Sequence, residues 1–316
     1  MRRVALIYNP ASGQNSSRRK PAIDEAATAL RGAGIEAQIL ETPAPASAGA
    51  LALEAVRRGC DTIIACGGDG TVHEVLQTLV GTDVALGVLP LGTANALAAN
   101  LGLSLSPGKS IRELITATPV CVSVGRISYR DQAGADQMRY FTVAAGVGAD
   151  ALFLSRLDAR LKRRFGYLLY LIESFRVWAT HSFPLFEAVF EEEGSSQPRI
   201  LKISQLLAVR IRDFGGVLHT LAPGATLLND GLRLVAFKTR NRFDYFRFLM
   251  AVVFRRQTFK RQIELLDAVS VVCRPCAGTQ TLVFSEADGE LLEQLPVRID
   301  IVPHAVNLLI PLNARP

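Results

Sequence analysis

The run Gly67-Gly68-Asp69-Gly70-Thr71 combines residue types that handle phosphate. Its three glycines permit positive φ and let the backbone approach a phosphate closely. Thr71 suits a helix N-cap, and the N–H groups of the following turn are open to an anion. Asp69 is the informative oddity, because a carboxylate beside phosphate is repulsive unless a divalent cation or a transferable proton intervenes. The combination points to magnesium-nucleotide chemistry. The bland alternative is an ordinary strand-to-helix turn, where glycine serves geometry alone.

A second junction, Pro90-Leu91-Gly92-Thr93-Ala94-Asn95-Ala96-Leu97-Ala98, repeats the pattern, with Thr93 and Asn95 able to donate to phosphate or ribose oxygens. A third polar turn, Asn9-Pro10-Ala11-Ser12-Gly13, also follows an apolar run. None of the three is a Gly-Lys-Ser/Thr phosphate loop or a GxGxxG fingerprint. Two later turns carry acids, Asn229-Asp230-Gly231 and Asp288-Gly289-Glu290. Asp-Gly is the commonest hairpin turn, so each reads equally as a plain β-turn. A carboxylate held on such a hairpin can also orient and deprotonate an alcohol.

The elements that must position these residues change character along the chain. Over the first ~120 residues, apolar runs at 4–8, 37–40, 62–66 and 84–89 alternate with helical patterns at 21–31, 48–58, 72–80 and 94–100. That rhythm predicts an α/β domain with a mostly parallel sheet covered on both faces, whose loops at the strands' carboxyl ends share one edge. From about residue 120, short alternating segments separated by turn signals predict an all-β part, an antiparallel β-sandwich. The expected domains are residues 1–122, to which 304–316 can return, and residues 123–303.

Hydrophobic residues make up 49% of the 316 and charged residues 20%, a balance that excludes a disordered chain. Lys and Arg number 35 against 29 Asp and Glu, and the net charge of +6 invites anionic partners. Cys60, Cys66, Cys121, Cys273 and Cys276 are scattered and odd in number, as expected of thiols in a reducing compartment. The lone Cys273-x-x-Cys276 pair sits in a strand-like run and is not read as a redox or zinc motif. His181, His219 and His304 have no ligand spacing, and His73 reads as a packing or helix-surface residue. The N-terminal apolar run is shorter than a signal-peptide core, and nothing approaches the roughly 20 apolar residues of a membrane span. The expectation is a cytoplasmic protein that associates peripherally with membrane.

Taken in order, Asn9–Gly13, Gly67–Val75 and Pro90–Ala98 resemble the lipid kinases of the diacylglycerol kinase and sphingosine kinase superfamily. So do the downstream segments 145–150, 162–167, 214–216, 222–225, 229–232 and 288–290. The resemblance implies a nucleotide-binding domain like that of NAD kinases and diacylglycerol kinases, followed by a lipid-binding β domain. It implies an ATP-dependent, Mg2+-requiring kinase acting on a primary hydroxyl of diacylglycerol or a related lipid. A sphingoid-base kinase, or a protein that binds nucleotide and lipid without catalysis, are the alternatives. Nucleotide contacts fall on Asn9, Ser12, Thr42, Gly67, Gly68, Asp69, Gly70, Thr71, Val72, His73, Thr93 and Asn95. Glu290 is implied as proton acceptor from the lipid hydroxyl, with Asp69 near the phosphates and Asp288 beside Glu290. Asp230, with the carbonyls of Leu227 and Leu232, matches the family's metal-binding stretch and suits Mg2+. Asp150 matches the position where sphingosine kinases hold the lipid head group. Many bacterial relatives carry Asp where this chain has Ala96, which puts an aspartate-water-metal network through that position in doubt.

A kinase acting on lipid must also meet a bilayer. Residues 150–180 and 243–261 mix aromatic and aliphatic residues with arginines and lysines, as interfacial segments on anionic lipid do, although core packing explains part of both. The expected partner is lipid at an anionic membrane surface. No nucleic-acid module is recognisable. An exposed edge strand would permit a homodimer.

Overall fold

The computed structural model describes residues 1–10, 16–149, 151, 176, 179–192, 194, 197–214, 220–254, 261–278, 282–312 and 314. The chain divides into two compact units. One comprises Met1–Val124, Asp213–Gly216 and Pro303–Pro316, and the other Gly125–Arg212 and Val217–Val302.

In the first unit, strands β1 (Arg3–Tyr8), β2 (Glu36–Glu41), β3 (Thr62–Gly67) and β4 (Ala85–Pro90) form a parallel sheet in the order β2-β1-β3-β4. Strands β3 and β4 are buried at every position, the pattern of a parallel sheet covered on both faces. The crossover helices are α1 (Ser16–Gly32), α2 (Ala48–Arg57) and α3 (Asp69–Leu79), followed by α4 (Ala96–Asn100) and α5 (Pro107–Ile115). Helix α2 is fastened to α3 where Glu74 Oε2 accepts the Ala48 N–H at 2.8 Å and Thr78 Oγ1 donates to the Gly49 carbonyl at 3.0 Å. Strand order reverses direction between β1 and β3, which makes the carboxyl edge there a topological switch point, the usual place for a ligand in an open α/β sheet.

Helix α3 starts earlier than its apolar periodicity suggests. Its N-cap is Gly68, so Asp69, Gly70 and Thr71 form the first turn and Thr71 is not the cap. Helix α5 is absent from the sequence reading, although Ser106 stands at its N-cap and Pro107 at its first position.

The second unit contains a six-stranded antiparallel sheet. Its order is β12 (Ile263–Ala268), β11 (Leu232–Phe237), β10 (Gln205–Val209), β7 (Ala144–Val147), β14 (Phe284–Ala287) and β15 (Glu290–Gln294). A further antiparallel layer runs β9 (Arg199–Ile203), β8 (Phe186–Glu191) and β13 (Ser270–Pro275), then β16 (Val297–Ile310) and β5 (Thr118–Arg130), which pairs with β6 (Asp136–Phe141). Phe186, Phe190 and Ile299 of this layer and Leu206, Leu234 and Val147 of the six-stranded sheet belong to one buried cluster, the core of a sandwich. Alternation is plain in β8, where Phe186, Ala188 and Phe190 are buried and Glu187, Val189 and Glu191 are not. Beyond its pairing with β13, β16 runs on to lie parallel to β4 through Asn307 and Leu308.

Cys273 lies in the sandwich core and Cys66 in β3, and burial pushes both thiols well above the ordinary range, which makes them inert. Helix α6 (Arg242–Val253) is capped by Asn241, whose side chain accepts the Phe243 N–H at 3.0 Å. Among the described residues, no helix is long and apolar enough to cross a membrane.

Candidate active site

Parallel register brings four strand ends of the first unit level. Tyr8 pairs with both Glu41 and Cys66, and Gly67 pairs with Pro90. The residues that follow these strands, Asn9, Thr42, Gly68 and Leu91, therefore leave the sheet at one edge. Thr42 donates its backbone N–H to the Tyr8 carbonyl at 2.9 Å. Its hydroxyl is buried and has no hydrogen-bond partner among the described residues. Ser12 lies outside the described residues.

The loops after β3 and β4 are locked together. Leu91 N–H donates to the Gly67 carbonyl at 2.9 Å, and a Cβ on Gly92 would stand 2.4 Å from the Cα of Gly68. Glycine is required at that crossing for lack of room, whatever the φ. Asp69 Oδ1 accepts the Ala96 N–H at 2.8 Å, so the acid of one loop satisfies the opening turn of α4 in the next. Asn95 adopts a left-handed conformation (φ +51°, ψ +47°). Its side chain closes its own loop, accepting from Gly92 N–H at 2.9 Å and donating to the Gly92 carbonyl at 3.0 Å. The Asn95 amide is thus engaged in loop geometry, whereas Thr93 is exposed. Val72 and His73 are buried, and the His73 ring lies 3.5 Å from the Gln77 amide.

A residue unremarked in the sequence joins the β1 loop to this pair. Arg19, buried on α1, donates to the Asn9 carbonyl at 2.9 Å and to the Leu91 carbonyl at 3.3 Å. Burial lowers its pKa from the ordinary guanidinium value. Three loops of one sheet edge are therefore tied by Arg19, Asp69 and the Gly68–Gly92 crossing. The edge pairs a glycine-lined helix start with a buried orphan hydroxyl, and these residues fit a nucleotide's phosphates.

In the second unit, Asp288 and Gly289 both have positive φ (+49° and +85°) and form the two-residue turn between β14 and β15. The hairpin reading of Asp-Gly is thus realised, and the Asp288 side chain does more than turn the chain. Its Oδ1 accepts from Val143 N–H at 2.9 Å and Ala144 N–H at 3.1 Å, and its Oδ2 from Thr142 N–H at 2.9 Å. A carboxylate holding three backbone N–H groups is a positioning group. Glu286, buried, accepts the Gly289 N–H at 2.9 Å and shapes the same turn. Glu290, half-buried, opens β15 immediately after it. Asp150 lies outside the described residues, as do residues 152–175.

A cationic side chain of the protein itself reaches the stretch around Asp230. The guanidinium of Arg210, 1% exposed, donates from Nη2 to the Leu227 carbonyl at 3.0 Å and from Nη1 to the Gly231 carbonyl at 2.5 Å. Asp230 is exposed and its charge acts on the same guanidinium. Leu227, Asp230 and Leu232 do not fit a divalent cation here, because the carbonyl such an ion would need already faces a positive charge. No cluster of three or more His, Cys, Asp or Glu side chains able to hold a metal occurs among the described residues.

Residues 3–127 match the diacylglycerol kinase catalytic domain, and residues 142–310 match the YegS C-terminal NAD kinase beta sandwich-like domain. The chain belongs to the diacylglycerol kinase family of lipid kinases. It is 26% identical to a diacylglycerol kinase of Mycobacterium tuberculosis over 315 residues, covering 98% of this chain and 95% of that protein. It is 32% identical over 155 residues to a probable lipid kinase YegS-like of Klebsiella pneumoniae, covering 48% of this chain and 50% of that protein. A crystal structure of a putative diacylglycerol kinase from Bacillus anthracis superposes with a TM-score of 0.77 at 17% identity, covering 99% and 96% of the two chains. Yeast NADH kinase superposes with a TM-score of 0.50 at 10% identity, covering 98% and 83%.

For this diacylglycerol kinase family member, sequence reasoning missed Arg19, Glu286 and Arg210. Arg19 sits in a run of basic residues, Arg18-Arg19-Lys20, that gives no reason to single one out. Glu286 has the same type and hairpin as Glu290 but no motif of its own. Arg210 did leave a signal, as a single charge within the apolar run Leu206-Leu207-Ala208-Val209-Arg210-Ile211.

Proposed function

We propose that the chain transfers the γ-phosphate of ATP to a primary hydroxyl of diacylglycerol or a related lipid at a membrane surface. In this reading the first unit binds nucleotide and the second binds lipid. The observation that carries it is the union of family membership with the tied loops after β1, β3 and β4. When bound, Mg-ATP supplies the phosphoryl group and the cation that offsets its charge.

The chain's own groups then have distinct tasks. The N–H groups of Gly68, Asp69 and Gly70 at the start of α3 donate to phosphate oxygens, and the Thr42 hydroxyl and Asn9 border the nucleotide at neighbouring strand ends. Asp69 keeps the β4 loop seated through Ala96 while placing negative charge where the metal of the nucleotide is needed. Glu290 takes the proton from the lipid hydroxyl, and Asp288 and Glu286 hold the turn that aims it. Membrane contact is assigned to α6, where Phe243 and Phe246 are exposed beside exposed Arg242 and Arg247, an arrangement suited to anionic headgroups.

The test is transfer of label from γ-labelled ATP with anionic vesicles carrying, in turn, diacylglycerol, a sphingoid base, monoacylglycerol or phosphatidylglycerol. Labelled phosphatidate with the diacylglycerol vesicles is expected. ATP binding without label in any lipid would leave a nucleotide-binding protein and overturn the proposal.

A further inference from the structure

The segment between β10 and β11 carries the sequence of a metal loop and the geometry of an arginine-filled one. Arg210 follows β10 directly, and its backbone N–H donates to the Val143 carbonyl at 2.9 Å, which fixes where the side chain starts. From there the guanidinium reaches the Leu227 and Gly231 carbonyls. A second arginine serves the same segment, since Arg233 Nε donates to the Pro223 carbonyl at 2.8 Å while its guanidinium pairs with Asp267. Three carbonyls between residues 223 and 231 are thus held by two guanidinium groups.

We propose that the Arg210 guanidinium is the resident cation of the 227–232 loop, so that this loop folds and holds its shape without Mg2+. The charge balance favours it. Among the described residues, Asp230 is the carboxylate whose charge acts on this guanidinium; the two together are neutral, and a dication added to them would leave +2. Mg2+ also demands oxygens at about 2.0–2.1 Å in octahedral array and keeps several waters. A dication bonded to the Leu227 oxygen would sit within roughly 5 Å of a buried guanidinium nitrogen, where low dielectric magnifies like-charge repulsion. A guanidinium is charged at neutral pH wherever it sits in a protein.

The loop also reaches the hairpin that carries Glu290. Val143 gives its carbonyl to Arg210 and its N–H to Asp288, so the filled loop and the Asp288 turn share one residue as anchor. The inference stands whether or not the chain phosphorylates lipid, because it concerns how this loop is held.

The experiment uses the full chain without nucleotide. Melting midpoints are compared in chelator and in about 10 mM Mg2+, for wild type, Asp230→Asn and Arg210→Gln. The expected result is a wild-type midpoint unchanged within about 1 °C, the same indifference in Asp230→Asn, and a lower midpoint in Arg210→Gln. Should Arg210→Gln fail to fold, the wild type and Asp230→Asn carry the test, together with Mn2+ titration followed by electron paramagnetic resonance. A Mg2+-dependent rise of several degrees in wild type that vanishes in Asp230→Asn would overturn the proposal. One stoichiometric Mn2+ lost on the same substitution would overturn it equally.

Discussion

Asp69 Oδ1 accepts the backbone N–H of Ala96 at 2.8 Å, so the acid of the glycine-rich loop caps the helix that follows the next strand. One side chain thus has a structural duty beside the chemical one proposed for it. The structural duty needs an acceptor oxygen, and the chemical duty needs a charge.

Substitution at Asp69 separates them. Asp69→Ala removes both and is expected to cost about 1 kcal/mol of stability, the usual loss of a helix cap. Asp69→Asn keeps an oxygen for Ala96 and should melt close to wild type. Its phosphoryl transfer should nevertheless fall by about 100-fold, as when one electrostatic group is withdrawn from a transition state. Denaturant melts read the first effect and steady-state kinetics the second. Equal activity in wild type and Asp69→Asn would confine Asp69 to the cap.

The glycines divide in the same way. Gly92→Ala should cost about 1–3 kcal/mol, because its Cβ meets the Gly68 Cα at 2.4 Å and backbone cannot yield cheaply. Gly70→Ala meets nothing within 4 Å and should fold normally. If phosphate occupies the start of α3, Gly70→Ala should weaken ATP binding with stability intact. Calorimetric titration with ATP, beside a thermal melt, checks both.

Arg19 ties the β1 loop to the β4 loop through two carbonyls. Arg19→Met keeps the length of the side chain and strands those acceptors, a loss of about 1–3 kcal/mol. Because the loops it joins are assigned to nucleotide, KM for ATP should rise more than kcat falls.

Tyr8 closes β1 at the same edge, with its hydroxyl donating to Glu41 Oε2 at 2.6 Å. That hydrogen bond first, and burial second, push the phenol up to about 12. An unfolded tyrosine titrates near about 10. The stabilisation from the protonated phenol is therefore fully present below about pH 10 and lost as pH rises toward about 12. Alkaline titration by phenolate absorbance should show a late-ionising tyrosine that disappears in Tyr8→Phe and ionises earlier in Glu41→Gln.

The exposed aromatic face of α6 offers a membrane test. Phe243→Ser with Phe246→Ser should reduce sedimentation with anionic vesicles by about tenfold or more, the effect of leaving two large apolar side chains out of an apolar phase. Activity on a soluble short-chain lipid should be unchanged. Undiminished vesicle binding would move the membrane contact elsewhere.

What was legible in the sequence follows from what leaves a local trace. Strands β3 and β4 announce themselves as continuous apolar runs, and β8 as an alternation, because burial on two faces or one dictates those patterns. The loops after β3 and β4 were legible through glycine and spacing. The start of α3 was not, since Asp69 and Gly70 read as loop residues although they fill its first turn. The partners of Arg19, Asp288 and Arg210 were hidden for another reason. All three bind backbone groups, and any residue type presents the same carbonyl or N–H, so no sequence signal marks the contact. That is also why the Asp230 stretch reads as a metal loop although Arg210 reaches two of its carbonyls.

The most direct measurement is transfer of the γ-phosphate from ATP to diacylglycerol in mixed micelles by wild type and Glu290→Gln, with ATP affinity measured on both. The account predicts labelled phosphatidate from wild type and a fall of about 100-fold or more in Glu290→Gln, with ATP binding and melting unchanged. A Glu290→Gln enzyme as active as wild type, or a wild type that binds ATP and labels no lipid, would contradict it.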